Sequence, residues 1–217
     1  SLATSLVELP EEGNYAFLWS IGNGVCPMEN DTVYLQRDSP GDAAILPEDL
    51  EICADSLSLS AGFIAKGLGH WSVLSGAGTF SNPDSVYTEI HQLEAGENLF
   101  QWEVSNGACI SRDTIQVLSY EKPGPVNAGL NAEICGLLGA LEAEIPETGS
   151  GIWLFDEAQA SLSNPEDPFT EIEAYTEGNL HLIWQVSNGP CLLQDSVSLA
   201  FRMQPNADAG EDIVICA

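Results

Sequence analysis

Apolar and polar side chains alternate through Phe100-Gln101-Trp102-Glu103-Val104, and again through Leu182-Ile183-Trp184-Gln185-Val186 and Phe17-Leu18-Trp19-Ser20-Ile21. A period of two places the first, third and fifth residue of each run on one buried face of a strand. Each run ends in a turn: Ser105-Asn106-Gly107, Ser187-Asn188-Gly189 or Gly22-Asn23-Gly24. Asn-Gly tolerates the positive φ that tight hairpins require. A cysteine follows each turn, then a second alternating strand: Thr114–Val117, Ser196–Phe201 or Thr32–Leu35. Further strands are predicted at Leu57–Ala61, more weakly at Gly139–Ala143, and in the Gly-x-Trp runs Gly69–Val73 and Gly151–Phe155. Turns at Ser81-Asn82-Pro83-Asp84 and Ser163-Asn164-Pro165-Glu166 lead into strands near Tyr87–Ile90 and Phe169–Ile172. Short strands with frequent turns and no helical period predict an all-β protein of sandwich type.

These elements recur at a fixed pitch. Trp71 and Trp153 are 82 apart (153 − 71), as are Trp102 and Trp184, Cys53 and Cys135, and Cys109 and Cys191. Trp19 and Cys26 precede Trp102 and Cys109 by 83, and Cys216 follows Cys135 by 81. Such a lattice marks a tandem array of one small domain. The expected division is 1–38 as the C-terminal half of a repeat, 45–124 and 126–204 as complete repeats, and 206–217 as the first strand of another. Trp19, Trp71, Trp102, Trp153 and Trp184 are the expected core anchors. The junctions Glu121-Lys122-Pro123-Gly124-Pro125 and Met203-Gln204-Pro205-Asn206 carry proline. Short proline-containing linkers make semi-rigid joints, so an extended rod is expected.

Charge narrows the function classes. Thirty-three Asp and Glu face five Lys and Arg, a net charge of −28. Nucleic-acid binding needs clustered cations, as does an anionic lipid surface, and neither partner is expected here. No apolar run approaches the roughly 20 residues needed to span a bilayer, so direct membrane insertion is not expected. Six cysteines on a regular lattice, with no Cys-x-x-Cys pair, read as disulfides in an oxidising compartment outside the cytoplasm.

In order, the chain carries Asn127-Ala128-Gly129, Ile134-Cys135, Gly151-Ile152-Trp153, Ser163-Asn164-Pro165 and Trp184 through Cys191. Its opening recurs at Ala207-Asp208-Ala209-Gly210, whereas the middle copy has Pro47 where the glycine would stand. This order resembles the PKD-like, immunoglobulin-like tandem repeats of Bacteroidetes cell-surface proteins. The resemblance covers essentially the whole chain. It implies immunoglobulin-like β-sandwiches in a long, cell-surface-attached protein, such as an adhesin or gliding adhesin exported by the type IX system, or a spacer in a secreted hydrolase. A non-enzymatic stalk or filament is the expected role, with neighbouring repeats as partners and a surface or glycan ligand as a candidate. A carbohydrate-binding module, with Tyr87, Tyr120 and Tyr175 as candidate stacking platforms, is the alternative, alongside the passive spacer.

Two disulfide schemes fit the lattice. Pairing within a copy gives Cys53–Cys109 and Cys135–Cys191; pairing across junctions gives Cys26–Cys53, Cys109–Cys135 and Cys191–Cys216. The first is preferred, because the cysteine after Ser-Asn-Gly opens the last strand of its copy, about 25–30 Å from the junction that follows. Disulfides need Cα atoms within about 7 Å. No cofactor is implied except, as a candidate, calcium. Asp208, Glu211 and Asp212 cluster at one junction and Glu48, Asp49 and Glu51 at another, and calcium takes clustered hard oxygens. Asp followed by Ser or Thr and an aliphatic residue resembles the O-glycosylation acceptor motif of Bacteroidetes extracytoplasmic proteins, which makes Thr32, Ser56, Ser85, Thr114 and Ser196 candidate attachment points. The same residues also suit strand starts. His70, His91 and His181 fit no catalytic or metal-ligand spacing, and no enzyme activity is expected.

Overall fold

The computed structural model describes residues 6–215. They form sixteen strands: β1 (Gly13–Ile21), β2 (Glu29–Arg37), β3 (Leu50–Ile52), β4 (Ser56–Ser60), β5 (Leu68–Ser75), β6 (Thr79–Phe80), β7 (Tyr87–His91), β8 (Gly96–Asn106), β9 (Cys109–Ser119), β10 (Ala132–Cys135), β11 (Leu138–Ala140), β12 (Ser150–Leu154), β13 (Ala160–Leu162), β14 (Glu171–Ala174), β15 (Gly178–Asn188) and β16 (Cys191–Arg202). The protein is all-β, with an immunoglobulin-like sandwich topology. It divides into two compact units. The first holds residues up to Leu50 and Asp55–Ser119; the second holds Glu51–Ala54 and residues from Tyr120 onward.

In the second unit a four-stranded sheet, in the order β10-β16-β15-β12, faces a three-stranded sheet, β11-β14-β13. All pairs are antiparallel except β10 with β16, which run parallel with Cys135 opposite Arg202. The core lies between the sheets. Leu182, Trp184 and Val186 of β15 and Val197, Leu199 and Phe201 of β16 point inward against Ile172 and Ala174 of β14. The first unit repeats this plan in its strands β9-β8-β5 and β4-β7-β6. There Phe100, Trp102, Val104, Ile115 and Val117 are buried, as the alternation predicts.

Two tryptophans meet at the centre of each sandwich. Trp71 is directly opposite Trp102, and Trp153 opposite Trp184. Their ring centroids are 4.9 and 5.1 Å apart, with interplanar angles of 45° and 46°. Such tilted pairs suit the aromatic quadrupole. The Gly-x-Trp motif has a steric cause. A Cβ on Gly69 would stand 2.1 Å from the Trp102 ring, and one on Gly151 at the same distance from the Trp184 ring. Each glycine lies under the indole of the neighbouring strand, so any side chain there displaces a core ring. Gly151→Ala is expected to lower stability by about 3 kcal/mol, at the upper end of ordinary overpacking, as read by chemical denaturation. Gly124→Ala serves as a comparison, since its backbone is not left-handed and its Cβ would meet only the Glu147 carboxylate, at an ordinary 3.8 Å.

The Ser-Asn-Pro turn also has a packing role. The carbonyl of Pro83 accepts the Trp71 N–H at 2.7 Å, and that of Pro165 accepts the Trp153 N–H at 2.8 Å. The Asn82 and Asn164 N–H groups donate to the hydroxyls of Thr88 and Thr170, both buried. The turn thereby satisfies backbone groups at the open edge of the tryptophan strand.

Two expectations change. Trp19, predicted as a core anchor, is 53% exposed. Among the described residues its strand β1 pairs only with β2, in a two-stranded sheet, and no tryptophan strand lies against it as β5 lies against Trp102. The long hairpins also turn on Gly-x rather than Asn-Gly. Asn106 is still paired, with Cys109, and Asn188 with Cys191. Gly107 (φ 60°) and Gly189 (φ 55°) take the first central position, as in a two-residue turn of the II′ kind.

Candidate functional site: the hairpin tips and the cystine

The most specialised chemistry sits where the tip of each long hairpin docks on the segment that ends the strand before it. In the second unit the Tyr120 N–H donates to the carbonyl of Ile52 at 2.8 Å. The Tyr120 hydroxyl donates to Glu51 at 3.4 Å. Burial, then the adjacent Glu51 carboxylate, push the Tyr120 phenol above its ordinary value. The β15–β16 tip closes over this residue: a Cβ on Gly189 would stand 2.4 Å from the Tyr120 ring. The Asn188 amide donates to the Glu121 carbonyl at 2.8 Å. Cys191, 1% exposed, is bonded to Cys53 with a Cα–Cα distance of 5.0 Å. That distance lies within the normal span of a disulfide.

The same arrangement recurs in the first unit, around Asp38. A Cβ on Gly107 would stand 2.1 Å from the Asp38 carboxylate, and the Asn106 amide donates to the Ser39 carbonyl at 2.9 Å. Cys109 Sγ lies 3.7 Å from the Asp38 carbonyl, as Cys191 Sγ lies 3.5 Å from the Tyr120 carbonyl. The Asp38 carboxylate accepts the Ala108 N–H at 2.6 Å. That bond, then one from Gln36, holds its pKa below the usual range.

This geometry overturns both disulfide schemes. Cys135 lies opposite Arg202 at the far end of β16, whereas Cys191 opens that strand. Eleven residues of extended chain separate them, about 35 Å at 3.3 Å per residue. A Cys135–Cys191 bond is therefore excluded, and Cys53 is bonded to Cys191 rather than to Cys109. The junction scheme fails too, because it assigned Cys53 to Cys26. The start of the last strand is far from the junction that follows its copy but close to the one that precedes it. Cys26, Cys109 and Cys135 carry no disulfide in the structure; Cys216 lies outside the described residues.

At Asp113 and Asp195 the Asp-Ser/Thr motif clamps the entry segment of its copy. Asp113 accepts the Leu46 N–H at 2.7 Å, and Asp195 accepts the Ala128 N–H at 2.8 Å. Asp49 accepts the Gln116 N–H and Asn131 the Ser198 N–H, each at 2.8 Å. The hydroxyl residues Thr32, Thr114 and Ser196 are exposed, while Ser56 and Ser85 are half-buried. Hydrogen bonds from Ala128 and then Ser196 hold the Asp195 carboxyl below the usual aspartate value. Because the folded value is the lower one, this contribution is complete above the ordinary aspartate pKa of about 3.9 and vanishes as pH falls through the folded value. Asp195→Asn is therefore expected to flatten the drop in melting temperature between about pH 6 and pH 3. Thermal scans at both pH values measure it.

Of the carboxylates expected at calcium sites, three have hydrogen-bond partners within the protein. Asp49 serves Gln116, Glu51 serves Tyr120, and Asp208 accepts the Gly210 N–H at 2.8 Å. Among the described residues no group of three or more His, Cys, Asp or Glu is arranged to hold a metal ion. His70 pairs with Asp84 at 2.6 Å, and His91 contacts Ser81 at 3.0 Å. Of the aromatic candidates, Tyr120 is engaged in the hairpin dock, while Tyr87 (59%) and Tyr175 (52%) are exposed.

No known protein-family model and no curated protein matches the chain. Among solved structures, the chain is similar to extracellular domains 3–5 of Drosophila OTK, at 11% identity and a TM-score of 0.46, covering 85% of this chain and 69% of that one. It is also similar to the fibronectin(III)-like modules of Clostridium thermocellum CbhA, at 15% identity and 0.38, covering 78% and 98%. The PKD domain of the KIAA 1837 protein matches at 22% identity and 0.34, covering 40% and 95%.

Proposed function

We propose that this chain is a non-catalytic segment of a tandem array of immunoglobulin-like, PKD-like domains, forming an extended stalk or filament on a bacterial surface. In this reading the parent protein is a type IX-exported adhesin, serving adhesion or gliding. The observation that carries it is the recurrence of one architecture at one pitch. Tryptophan pairing, Gly-x-Trp sterics, the Ser-Asn-Pro turn, the aspartate clamp and the docked hairpin tip all repeat in both complete copies. A cystine supports an oxidising, extracytoplasmic setting, and a charge of −28 suits a surface that repels its neighbours. The exposed Thr32, Thr114 and Ser196 would carry glycans, and calcium would act in solvated junction loops. Antibodies raised against this chain should label intact cells of the source bacterium, and their Fab fragments should reduce surface attachment. Labelling only after permeabilisation would sink the proposal.

A carbohydrate-binding role is favoured by one observation. Tyr87 and Phe169, 82 apart, are both exposed, at 59% and 58%. An exposed aromatic at the same place in each copy would offer repeated stacking platforms. A glycan array decides: binding abolished by Tyr87→Ala with Phe169→Ala would favour this reading, and no binding at any glycan would remove it.

A further inference from the structure

Cys109 and Cys135 occupy, in their own copies, the positions that Cys191 and Cys53 hold in the bonded pair. The match extends beyond spacing. Cys109 sits in a tip already docked as the Cys191 tip is docked. The same glycine lies against residue 38 or 120, the same asparagine amide reaches residue 39 or 121, and the sulfur stands within 3.7 Å of the same carbonyl. Cys135 ends β10 exposed, after Ile134, as Cys53 follows Ile52 at the end of β3. The sequence Ile-Cys precedes each of these sulfurs.

We infer that Cys109 and Cys135 are two open halves of the Cys53–Cys191 linkage, each made to bond a neighbouring copy of this domain. Cys109 takes the thiol of an Ile-Cys segment at the end of the copy before. Cys135 takes the thiol behind a Ser-Asn-Gly-x-Cys tip of the copy after. Every copy of an array then contributes one tip sulfur backward and one strand-end sulfur forward, and no cysteine within the array is left over. Cys26, in the loop after Gly22-Asn23-Gly24, falls in the class of tip sulfurs. Forming each bond removes two protons and two electrons from a pair of thiols. A disulfide oxidant of the glutathione or oxidoreductase class takes them up and leaves as two thiols. The inference rests on the tandem-array reading only in requiring further copies; location at the cell surface has no bearing on it.

Two extensions of the full chain test it. In one, residues 123–204 are appended after residue 204, supplying a downstream tip cysteine. In the other, residues 42–83 are placed before residue 1, supplying an upstream Ile-Cys. Each is oxidised in a glutathione buffer, alkylated without reduction and mapped by peptide mass. Near-complete protection of Cys135 in the first, linked to the appended tip cysteine, is expected, with Cys109 alkylated. Near-complete protection of Cys109 in the second, linked to the added Ile-Cys, is expected, with Cys135 alkylated. The Cys53–Cys191 link reports in every sample that the parent fold has formed. Alkylation of Cys135 and Cys109 in both extended chains while that link is intact overturns the inference, as does a Cys109–Cys135 link. A link in one chain alone supports that half and overturns the other. Labelling of intact cells bears only on the surface assignment, so the two readings fail separately.

Discussion

Removing the Cys53–Cys191 bond, as in Cys53→Ser with Cys191→Ser, is expected to lower the unfolding free energy by about 5 kcal/mol in the chain-entropy model. The bond closes a loop with a sequence separation of 138, and loop-closure entropy in the denatured chain grows with the logarithm of that length. The value is large against the 5–15 kcal/mol typical of a whole domain. Urea denaturation of oxidised and double-serine protein measures it, with Cys26, Cys109, Cys135 and Cys216 also changed to serine in both backgrounds to prevent exchange. A loss below about 1 kcal/mol would mean that the tip holds equally well without the bond, through Asn188 and Gly189 alone. The double substitution also removes a buried sulfur at Cys191, so reduction of the unsubstituted protein is the companion measurement.

Trp184→Ala is expected to cost about 3–5 kcal/mol, through lost burial and the cavity left beside Trp153. Trp184 is fully buried, and the two rings fill the centre of the sandwich. Trp184→Phe is expected to cost clearly less. The indole N–H of Trp184 has no hydrogen-bond partner among the described residues, so the smaller ring removes a buried donor without orphaning an acceptor. Trp71 differs, because its indole N–H donates to the Ser85 carbonyl at 2.9 Å. Trp71→Phe leaves that acceptor unpaired and should be the more damaging of the two. The three variants, compared by chemical denaturation, separate ring volume from hydrogen bonding. Equal losses for Trp71→Phe and Trp184→Phe would refute the distinction.

The tryptophan core was legible because alternation is a local signal. Phe100, Trp102 and Val104 reveal their shared face without reference to any other strand. The pitch was legible because rare, large residues mark it. What local pattern does not carry is which strand lies beside which, and in what direction. The preferred disulfide scheme placed Cys135 near Cys191. The parallel pairing of β10 with β16 instead puts Cys135 at the opposite end of the last strand, and nothing in the four residues of β10 announces it. The lattice held an unused clue. Both cysteine classes occur once per copy, so a bond between successive copies can repeat without remainder, provided that it joins the strand-end class of one to the tip class of the next. The reason for glycine in Gly-x-Trp was equally hidden, because the ring it accommodates lies on another strand. Asp113 and Asp195 read as strand-start chemistry, and the structure adds their acceptor role toward entry segments 67 residues earlier.

The parallel ladder between Ala132–Cys135 and Leu199–Arg202 has a mechanical consequence. Once the Cys53–Cys191 bond is reduced, tension along the chain reaches this sandwich through β10 and leaves it through β16, drawing two parallel neighbours in opposite directions. The ladder is then loaded in shear, with its hydrogen bonds resisting together instead of opening one after another as in a peeled hairpin. While the bond is intact, tension arriving before Cys53 crosses the two sulfurs straight into β16, and the chain between them, β10 included, carries none of it.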